Sequence, residues 1–250
     1  MLVTYSSDYL KILDYPPRCN ISKDESLITK ELVKQELKTT TERKVFNKDV
    51  KKVFCHFSLR ENTVYIKPYQ DDEREYSELL VIELYIYSSE NTKKIAEMLM
   101  KVILYPVLLF FNNGEMIQLA AAHQRTNLSD DSKNVLEEIV LTEWFSLDSD
   151  FLNHLSLENL NKKDLYSLYS DYINRIHLHN AAQKKINPAL FNNSESARDV
   201  LNKIQSIDDE IESLKSKIKN SGTSAAEQIN LNIRIHKLKE EKEQYLTSTD

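Results

Sequence analysis

The fold of this chain is decided by the stretch LLVIELYIY at residues 79–87. Eight of its nine residues are aliphatic or aromatic, and a nearly continuous apolar run is typical of a strand buried on both faces. Such a strand needs a layer of other structure on each side of its sheet. The stretch therefore predicts the central strand of a domain, with Glu83 as its single charged residue.

Further strands are predicted around this stretch from their aromatic and β-branched residues. The sequence Asn-Asn-Gly at 112–114 predicts a tight turn between two of them, because Asn-Gly readily supplies the positive φ angles of a two-residue hairpin. A turn at 61–63 is predicted to lead into a further strand at 64–66. The predicted strands are residues 53–59, 64–66, 107–111 and 116–121, and a last strand that ends at Trp144-Phe145.

Helices are predicted where apolar residues recur every three or four positions. These segments are residues 25–38, 41–51, 91–102 (with Asn91 as N-cap) and 164–182. Strands and helices grouped in this way indicate an α+β fold with a mixed β-sheet flanked by helices. This core domain is predicted to cover residues 23–147. A helical region is predicted over 148–195, and residues 1–22 are predicted to be irregular because Pro16-Pro17 blocks a helix.

Residues 196–247 predict an antiparallel helical hairpin, a short coiled coil. Gly222 is well placed to end its first helix, and Ser224 with Glu227 has the spacing of a capping box that begins the second. The heptad-like apolar stripes of the two helices are the predicted interaction residues. They are Leu201, Ile204, Ile211, Leu214, Ile218, Leu231, Ile235 and Leu238.

The composition excludes several classes of site. The 250 residues include only two glycines, Gly114 and Gly222, whereas phosphate-binding loops and nucleophile elbows need two or more at fixed spacing. We therefore expect no nucleotide cofactor. The net charge of −6 gives no support for general binding of nucleic acid, although it leaves that question open.

The sequence also predicts the cellular compartment. The first residues lack the pattern of a signal peptide, and the longest apolar run is too short to span a bilayer. The two cysteines, Cys19 and Cys55, lack metal-ligand spacing. We therefore expect a soluble cytoplasmic protein with no membrane partner.

One catalytic hypothesis involves Glu83. A helix, three strands, a helix and a strand is the order of the restriction-endonuclease core, which holds Mg²⁺ between two carboxylates beside a lysine that orients water. The candidate carboxylates are Glu83 with Asp71 or Asp72, but Tyr85 stands where the lysine is needed. The alternative is that Glu83 is a buried, hydrogen-bonded acid or a polar residue at a strand edge.

Several stretches together resemble a bacterial family catalogued as domain of unknown function 4391. They are residues 15–17, 49–53, 79–87, 104–110 and 142–144, and the closing charged hairpin also fits the family's layout. The resemblance implies a gene that lies beside a superfamily-2 helicase and a DNA methyltransferase in restriction-like or phage-defence clusters. It supplies no established catalytic residues.

The resemblance and the predicted hairpin lead to one expectation about function. We expect a non-enzymatic accessory subunit of a phage-defence or restriction-type complex. Its hairpin would contact a helicase or methyltransferase partner, or a second copy of the chain. The alternative is a diverged Mg²⁺-dependent nuclease of the restriction-endonuclease fold.

Overall fold

The chain folds as a mixed β-sheet flanked by helices and followed by a C-terminal helical region, which is the predicted α+β class. The fold is divided into two compact units, Met1–Ile176 and His177–Asp250. The computed structural model describes residues 7–22, 26–28, 30–126, 134–190, 193–219 and 224–246.

Eleven strands are assigned within the described ranges. They are β1 (Leu27–Ile28), β2 (Val50–Arg60), β3 (Tyr69–Gln70), β4 (Glu75–Tyr76), β5 (Glu78–Ile86), β6 (Val107–Asn112), β7 (Met116–Ala121), β8 (Gln124–Thr126), β9 (Asn134–Leu136), β10 (Val140–Leu141) and β11 (Phe145–Ser146).

A seven-stranded sheet forms the centre of the first unit, in the order β1-β2-β5-β6-β7-β10, with β11 also paired with β7. All neighbouring strands of this sheet are antiparallel except β5 and β6, which are parallel. Strands β3 and β4, and likewise β8 and β9, form separate two-stranded sheets.

Seven α-helices are assigned within the described ranges, and none of them is both long and apolar enough to cross a bilayer. Short 3-10 helices lie at Asp8–Leu13, Pro17–Cys19, Asp150–Leu155, Leu157–Asn159 and Pro188–Leu190. The α-helices are α1 (Lys30–Glu36), α2 (Thr40–Asp49), α3 (Glu61–Val64), α4 (Thr92–Val102), α5 (Leu165–Gln183), α6 (Ser194–Lys219) and α7 (Ala225–Glu243).

Strand β5 is the predicted central strand, and its two faces enter two hydrophobic clusters because successive side chains point to opposite sides of a sheet. Ile82 and Leu84 join a cluster with residues of α1, α2 and α4. Leu79 and Val81 join a second cluster with the N-terminal residues, the segment 151–160 and the first part of α5. The prediction of a strand buried on both faces is confirmed.

Local hydrogen bonds determine where the flanking helices begin. Helix α2 starts after Thr39, whose hydroxyl accepts from the Glu42 amide (3.1 Å) while the Glu42 carboxylate accepts from the Thr39 amide (2.8 Å), a reciprocal capping box. Helix α4 starts after Asn91, as predicted, and provides the crossover that the parallel pair β5–β6 requires. The Asn91 side chain does not cap the helix; it donates to the buried Asp49 carboxylate (2.6 Å).

The predicted strand at 64–66 is wrong. Glu61–Val64 form the short helix α3, and Tyr65 after it has a left-handed φ of 57°. The Thr63 hydroxyl accepts from the Arg60 amide (2.8 Å) and contacts nearby carbonyl oxygens. Hydrogen bonds of this local kind compete with strand pairing for the backbone, so the chain turns here.

The predicted helix at 25–38 is interrupted. Among its described residues Ser26 and Lys30–Glu36 are helical, while Leu27 and Ile28 pair with Phe54 and Val53 as the edge strand β1. Pairing with an existing sheet overrides the helical spacing of these two residues, since tertiary context commonly outweighs local propensity.

Helices α6 and α7 pack against each other in the second unit. Ile211, Leu214, Ile235 and Leu238 form part of a buried apolar cluster between them. Arg234 in the middle of α7 pairs with a residue of α6 that is later in the chain than the partners of Glu241 and Lys242 near the end of α7, so the two helices run antiparallel. The ion pairs that show this are Arg234–Glu210 (2.9 Å), Lys203–Glu241 (3.4 Å) and Lys242–Asp208 (2.6 Å).

The connection between α6 and α7 is only partly described. Ser224 is the N-cap of α7, and its hydroxyl accepts from the Glu227 amide (3.3 Å), which is one of the two hydrogen bonds of the predicted capping box. Gly222, which was predicted to end the preceding helix, lies outside the described residues.

Tyr169 connects α5 to the sheet. Its ring is buried, and its hydroxyl donates to the Val107 carbonyl (2.7 Å) and accepts from the Ala122 amide (3.2 Å). The hydroxyl therefore joins the start of β6 and the end of β7 to one helix.

We expect Tyr169→Phe to lower the free energy of unfolding by about 1–3 kcal/mol, because the ring is kept while two buried backbone groups lose a partner. Urea unfolding at neutral pH measures the change as a lower midpoint with an unchanged slope. Tyr87→Phe, at an exposed position, is the matched control. Equal midpoints for the two variants would show that the hydroxyl of Tyr169 does not stabilise the fold.

Candidate functional site

The side chain of Glu83 is the most unusual feature of the sheet. It lies in the middle of β5, opposite Phe54 of β2 and Phe110 of β6, and its exposed fraction is 0%. A carboxylate removed from water is costly unless hydrogen bonds or opposite charges compensate. The surroundings of Glu83 therefore determine whether the central strand can hold it.

Four side chains surround this carboxylate, and we call the five residues together the Glu83 cluster. Ser7 Oγ and His56 Nε2 contact Oε2, the histidine at 2.9 Å. Tyr9 OH and Asn112 Nδ2 donate to Oε1 at 2.6 and 2.8 Å. An ionised carboxylate only accepts, so His56 must carry its proton on Nε2 to donate here. Each carboxylate oxygen thus has two donors.

The sheet itself positions two of these donors. The register between β2 and β5 slips between Cys55 and Phe57, so His56 is the additional residue of a β-bulge. A bulge of this kind re-aims a side chain, and here it directs His56 to Glu83. Asn112 ends β6, and its side-chain oxygen accepts from the amide of Gly114 (2.8 Å), which adopts a φ of 103°.

The hydrogen bonds also determine the charge of the cluster. Burial raises the pKa of the Glu83 carboxyl, but the donors His56, Ser7, Tyr9 and Asn112 outweigh burial and hold that pKa below its ordinary value. Glu83 is therefore ionised at neutral pH. Burial and the adjacent Glu83 charge together raise the pKa of the Tyr9 hydroxyl well above its ordinary value, which keeps it a donor.

The Glu83 cluster does not fit the two-carboxylate Mg²⁺ site of the nuclease hypothesis. None of the four donors is an acid, and Tyr85, at the position of the expected lysine, contacts Ser7 Oγ at 3.2 Å. Both carboxylate oxygens are already occupied by protein donors. Within the described ranges, no group of three or more His, Cys, Asp or Glu side chains is arranged to hold a metal ion.

The other two predicted carboxylates lie in the turn between β3 and β4. Asp71 accepts from the Tyr69 hydroxyl (2.7 Å) and from the Glu73 and Arg74 amides (2.8 and 2.7 Å), so it stabilises its own turn. Asp72 is an exposed residue of the same turn. Neither acid is a hydrogen-bond partner of Glu83 or of its four donors.

A second buried polar group surrounds His123. The Tyr76 hydroxyl accepts from the Gln124 amide (3.3 Å) and can then donate to His123 Nδ1 (2.7 Å), while Nε2 lies 3.4 Å from Ser170 Oγ. Burial lowers the pKa of His123 to about 4. The imidazole is therefore neutral at physiological pH and acts as a link between β4 and α5.

The eight predicted interaction residues lie inside the helical region. Six of them are buried in two apolar clusters, and Ile218 and Leu231 pack partly against one of these. Packing of the six buried residues helps to hold the second unit together, so a partner cannot contact those six while the two clusters stay intact. The six buried residues are Leu201, Ile204, Ile211, Leu214, Ile235 and Leu238.

The outer face of α7 carries apolar residues that sequence reasoning missed. Ile229 and Ile233 are 60% and 51% exposed, and each precedes a residue of the inner stripe, Leu231 or Ile235, by two positions. Two residues correspond to about 200° around a helix, so the two stripes lie on opposite faces. The i, i+4 spacing of the two isoleucines was the available signal.

The two isoleucines lie on an open, shallow surface of α7. We call its six residues the α7 outer face: Ile229, Asn232, Ile233, His236, Lys237 and Glu240.

The comparisons with known proteins give one result. A family model described as Domain of unknown function (DUF4391) matches residues 13–241, a range that includes both the Glu83 strand and the α7 outer face. No curated protein and no solved structure matches the chain.

We expect Glu83→Gln to lower the free energy of unfolding at pH 7 by about 2–4 kcal/mol, because a buried charge-assisted network loses its charge. The folded-state pKa of Glu83 is lowered. The contribution of the ionised Glu83 to the free energy of unfolding is therefore fully present above its unfolded-state pKa of about 4.3. This contribution is lost as the pH falls through its folded-state pKa.

Urea unfolding of both proteins between neutral and acidic pH measures this difference, which should shrink as the pH drops below about 4.3. Glu115→Gln, at an exposed position in the β6–β7 turn, is the control and should follow the wild type throughout. A constant difference between wild type and Glu83→Gln at every pH would contradict an ionised Glu83.

Proposed function

Given that the chain belongs to the DUF4391 family, we propose that it is a non-enzymatic accessory subunit that binds a larger protein through its C-terminal helices. The partner we propose is the helicase or methyltransferase subunit of a phage-defence or restriction-type complex, which is the partner that the family resemblance implies. The surface we propose for this contact is the α7 outer face.

The observation that carries this proposal is the exposed pair Ile229 and Ile233. Single exposed apolar residues are normal on protein surfaces, but these two lie one helical turn apart on the same open face of α7. A helix with apolar stripes on opposite faces is suited to a position between two other layers. Helix α6 provides one layer, and the proposed partner provides the other.

The α6–α7 pair is suited to presenting such a face. We propose that it is a two-helix coiled coil, in which Leu231, Ile235 and Leu238 follow the 4-3 spacing of a heptad stripe. Ion pairs between the helices, such as Lys242–Asp208 and Arg234–Glu210, flank the apolar cluster. The outer residues would then be held in fixed positions before a partner arrives.

A larger partner fits this face better than a second copy of the chain. Stable interfaces bury about 800 Å² on each side, and two copies that met at α7 would contribute only two isoleucines each. A partner that also contacts other surfaces would supply the missing area.

The test is co-expression of the tagged chain with the helicase and the methyltransferase that the family resemblance implies beside its gene. We expect one of these subunits to co-purify, and Ile229→Asp/Ile233→Asp to reduce its yield at least about tenfold, because a charged side chain in an apolar contact is strongly unfavourable. Thermal unfolding should be nearly unchanged, since both positions are exposed.

The matched control is Leu104→Asp/Tyr105→Asp, which places the same charges at exposed apolar positions between α4 and β6. This variant should retain the partner. The proposal fails if the wild type retains neither subunit, or if the α7 variant retains as much as the control. Concentration-dependent dimers that the α7 variant abolishes would show that the occupant is a second copy instead.

A further inference from the structure

We infer that the first unit binds single-stranded nucleic acid on a strip of basic and aromatic side chains along β2 and the end of β5. We call these residues the β2 strip: Lys51, Lys52, Phe54, His56 and Tyr87. The strip and the α7 outer face belong to different units of the chain, so this inference does not depend on the proposed function.

An irregularity of β2 brings two lysines to the same side of the sheet. Val50 and Val53 are buried in one apolar cluster, although residues three apart in a regular strand point to opposite faces. The register slip between Val50 and Lys52 accounts for this, because a bulge changes which face the following residues take. Neither Lys51 nor Lys52 enters that cluster, and both are partly exposed.

The side chains of the strip lie against each other. Phe54 and His56 follow Lys52 at alternate positions, which point to one face of a strand. The Lys52 ammonium lies 6.0 Å from the centre of the Phe54 ring, and the Phe54 and His56 rings stack at 5.8 Å. A second pair joins the Lys51 ammonium to the ring of Tyr87 at 5.6 Å, and Tyr87 is 68% exposed.

The Glu83 cluster holds one end of the strip in place. His56 donates through Nε2 to the Glu83 carboxylate (2.9 Å), so the orientation of its ring is fixed, and its side chain is 21% exposed. Among the residues that the structure describes, Nδ1 forms no hydrogen bond. This nitrogen can accept from a sugar hydroxyl or a base amino group when the ring is neutral, and donate to a phosphate oxygen when it is protonated.

Charge and aromatic rings together favour a single strand of nucleic acid. The chain has a net charge of −6, yet residues 50–56 contain two lysines, one histidine and no acid. Aromatic rings that stack on bases, beside cations that meet phosphates, are the usual means of binding single strands. In a duplex the faces of the bases are stacked on each other, so such rings cannot reach them. An acidic peptide would pair with the lysines but would leave the rings without a stacking partner.

The experiment uses the full-length chain and a labelled oligothymidylate of about 15 nucleotides. Fluorescence anisotropy measures its binding and that of a duplex of the same length. We expect the single strand to bind at least about tenfold more tightly than the duplex. The logarithm of its affinity should fall linearly with the logarithm of the salt concentration, because bound cations are released from the phosphates.

Two variants locate the site. Lys51→Glu/Lys52→Glu should weaken binding at least about tenfold and reduce the dependence on salt, because two phosphate contacts are lost. Tyr87→Ala should weaken binding at least about fivefold through the loss of one stacked base. Its exposed position should leave the thermal unfolding nearly unchanged, so this variant decides if the lysine variant does not fold.

The matched controls make the same changes at exposed positions outside the strip. They are Lys93→Glu/Lys94→Glu on α4 and Tyr65→Ala after α3, and both should bind as the wild type. Three results would overturn the inference: no binding of the oligothymidylate up to about 100 μM, equal affinity for single strand and duplex, or strip variants that bind as tightly as their controls. Displacement of the oligothymidylate by polyglutamate of equal charge would also overturn it and would assign the strip to an acidic protein chain.

Discussion

Keeping an ionised carboxylate inside the central strand is the constraint on which the first unit depends. Glu83 lies between two strands and under the N-terminal segment, with no exposed surface. Desolvating a charge costs several kcal/mol even after the protein relaxes, so every neighbouring element has to contribute a donor. The bulge of β2 supplies His56, the end of β6 supplies Asn112, and the N-terminal segment supplies Ser7 and Tyr9.

The second unit depends on apolar packing between its helices and not on a buried hydrogen-bond network. Its helices bury apolar side chains between them and place ion pairs at the edges. No buried carboxylate has to be compensated in that cluster. The two units therefore differ in what a substitution disturbs: in the sheet it is a hydrogen-bond network, and in the helix pair it is apolar packing. The outer isoleucines of α7 belong to neither core.

The sequence predicts features of this fold that depend on neighbours within a few residues. The apolar run of β5, the Asn-Asn-Gly turn before β7 and the start of α4 after Asn91 are of this kind. The strand predicted at 64–66 is wrong, because the Thr63 hydroxyl forms local hydrogen bonds with the backbone that compete with strand pairing. The donors of Glu83 could not be predicted, since Ser7 is 76 positions away and a one-residue slip of register leaves no local pattern. The α7 outer face was missed although its spacing was visible, because only one stripe of the helix was considered.

The hydrogen bonds from Ser7 and Tyr9 have a consequence for the beginning of the chain. Residues 7–19 contain only short 3-10 helices and irregular backbone, which is the kind of segment usually regarded as a removable tail. In this protein two of its side chains donate two of the four hydrogen bonds that an interior carboxylate accepts. A chain that began at residue 10 would keep every strand and α-helix that the structure describes, yet it would leave the carboxylate of the central strand with half of its donors. Lack of regular structure and dispensability are therefore separate properties here, and the irregular N-terminal segment is chemically a part of the core.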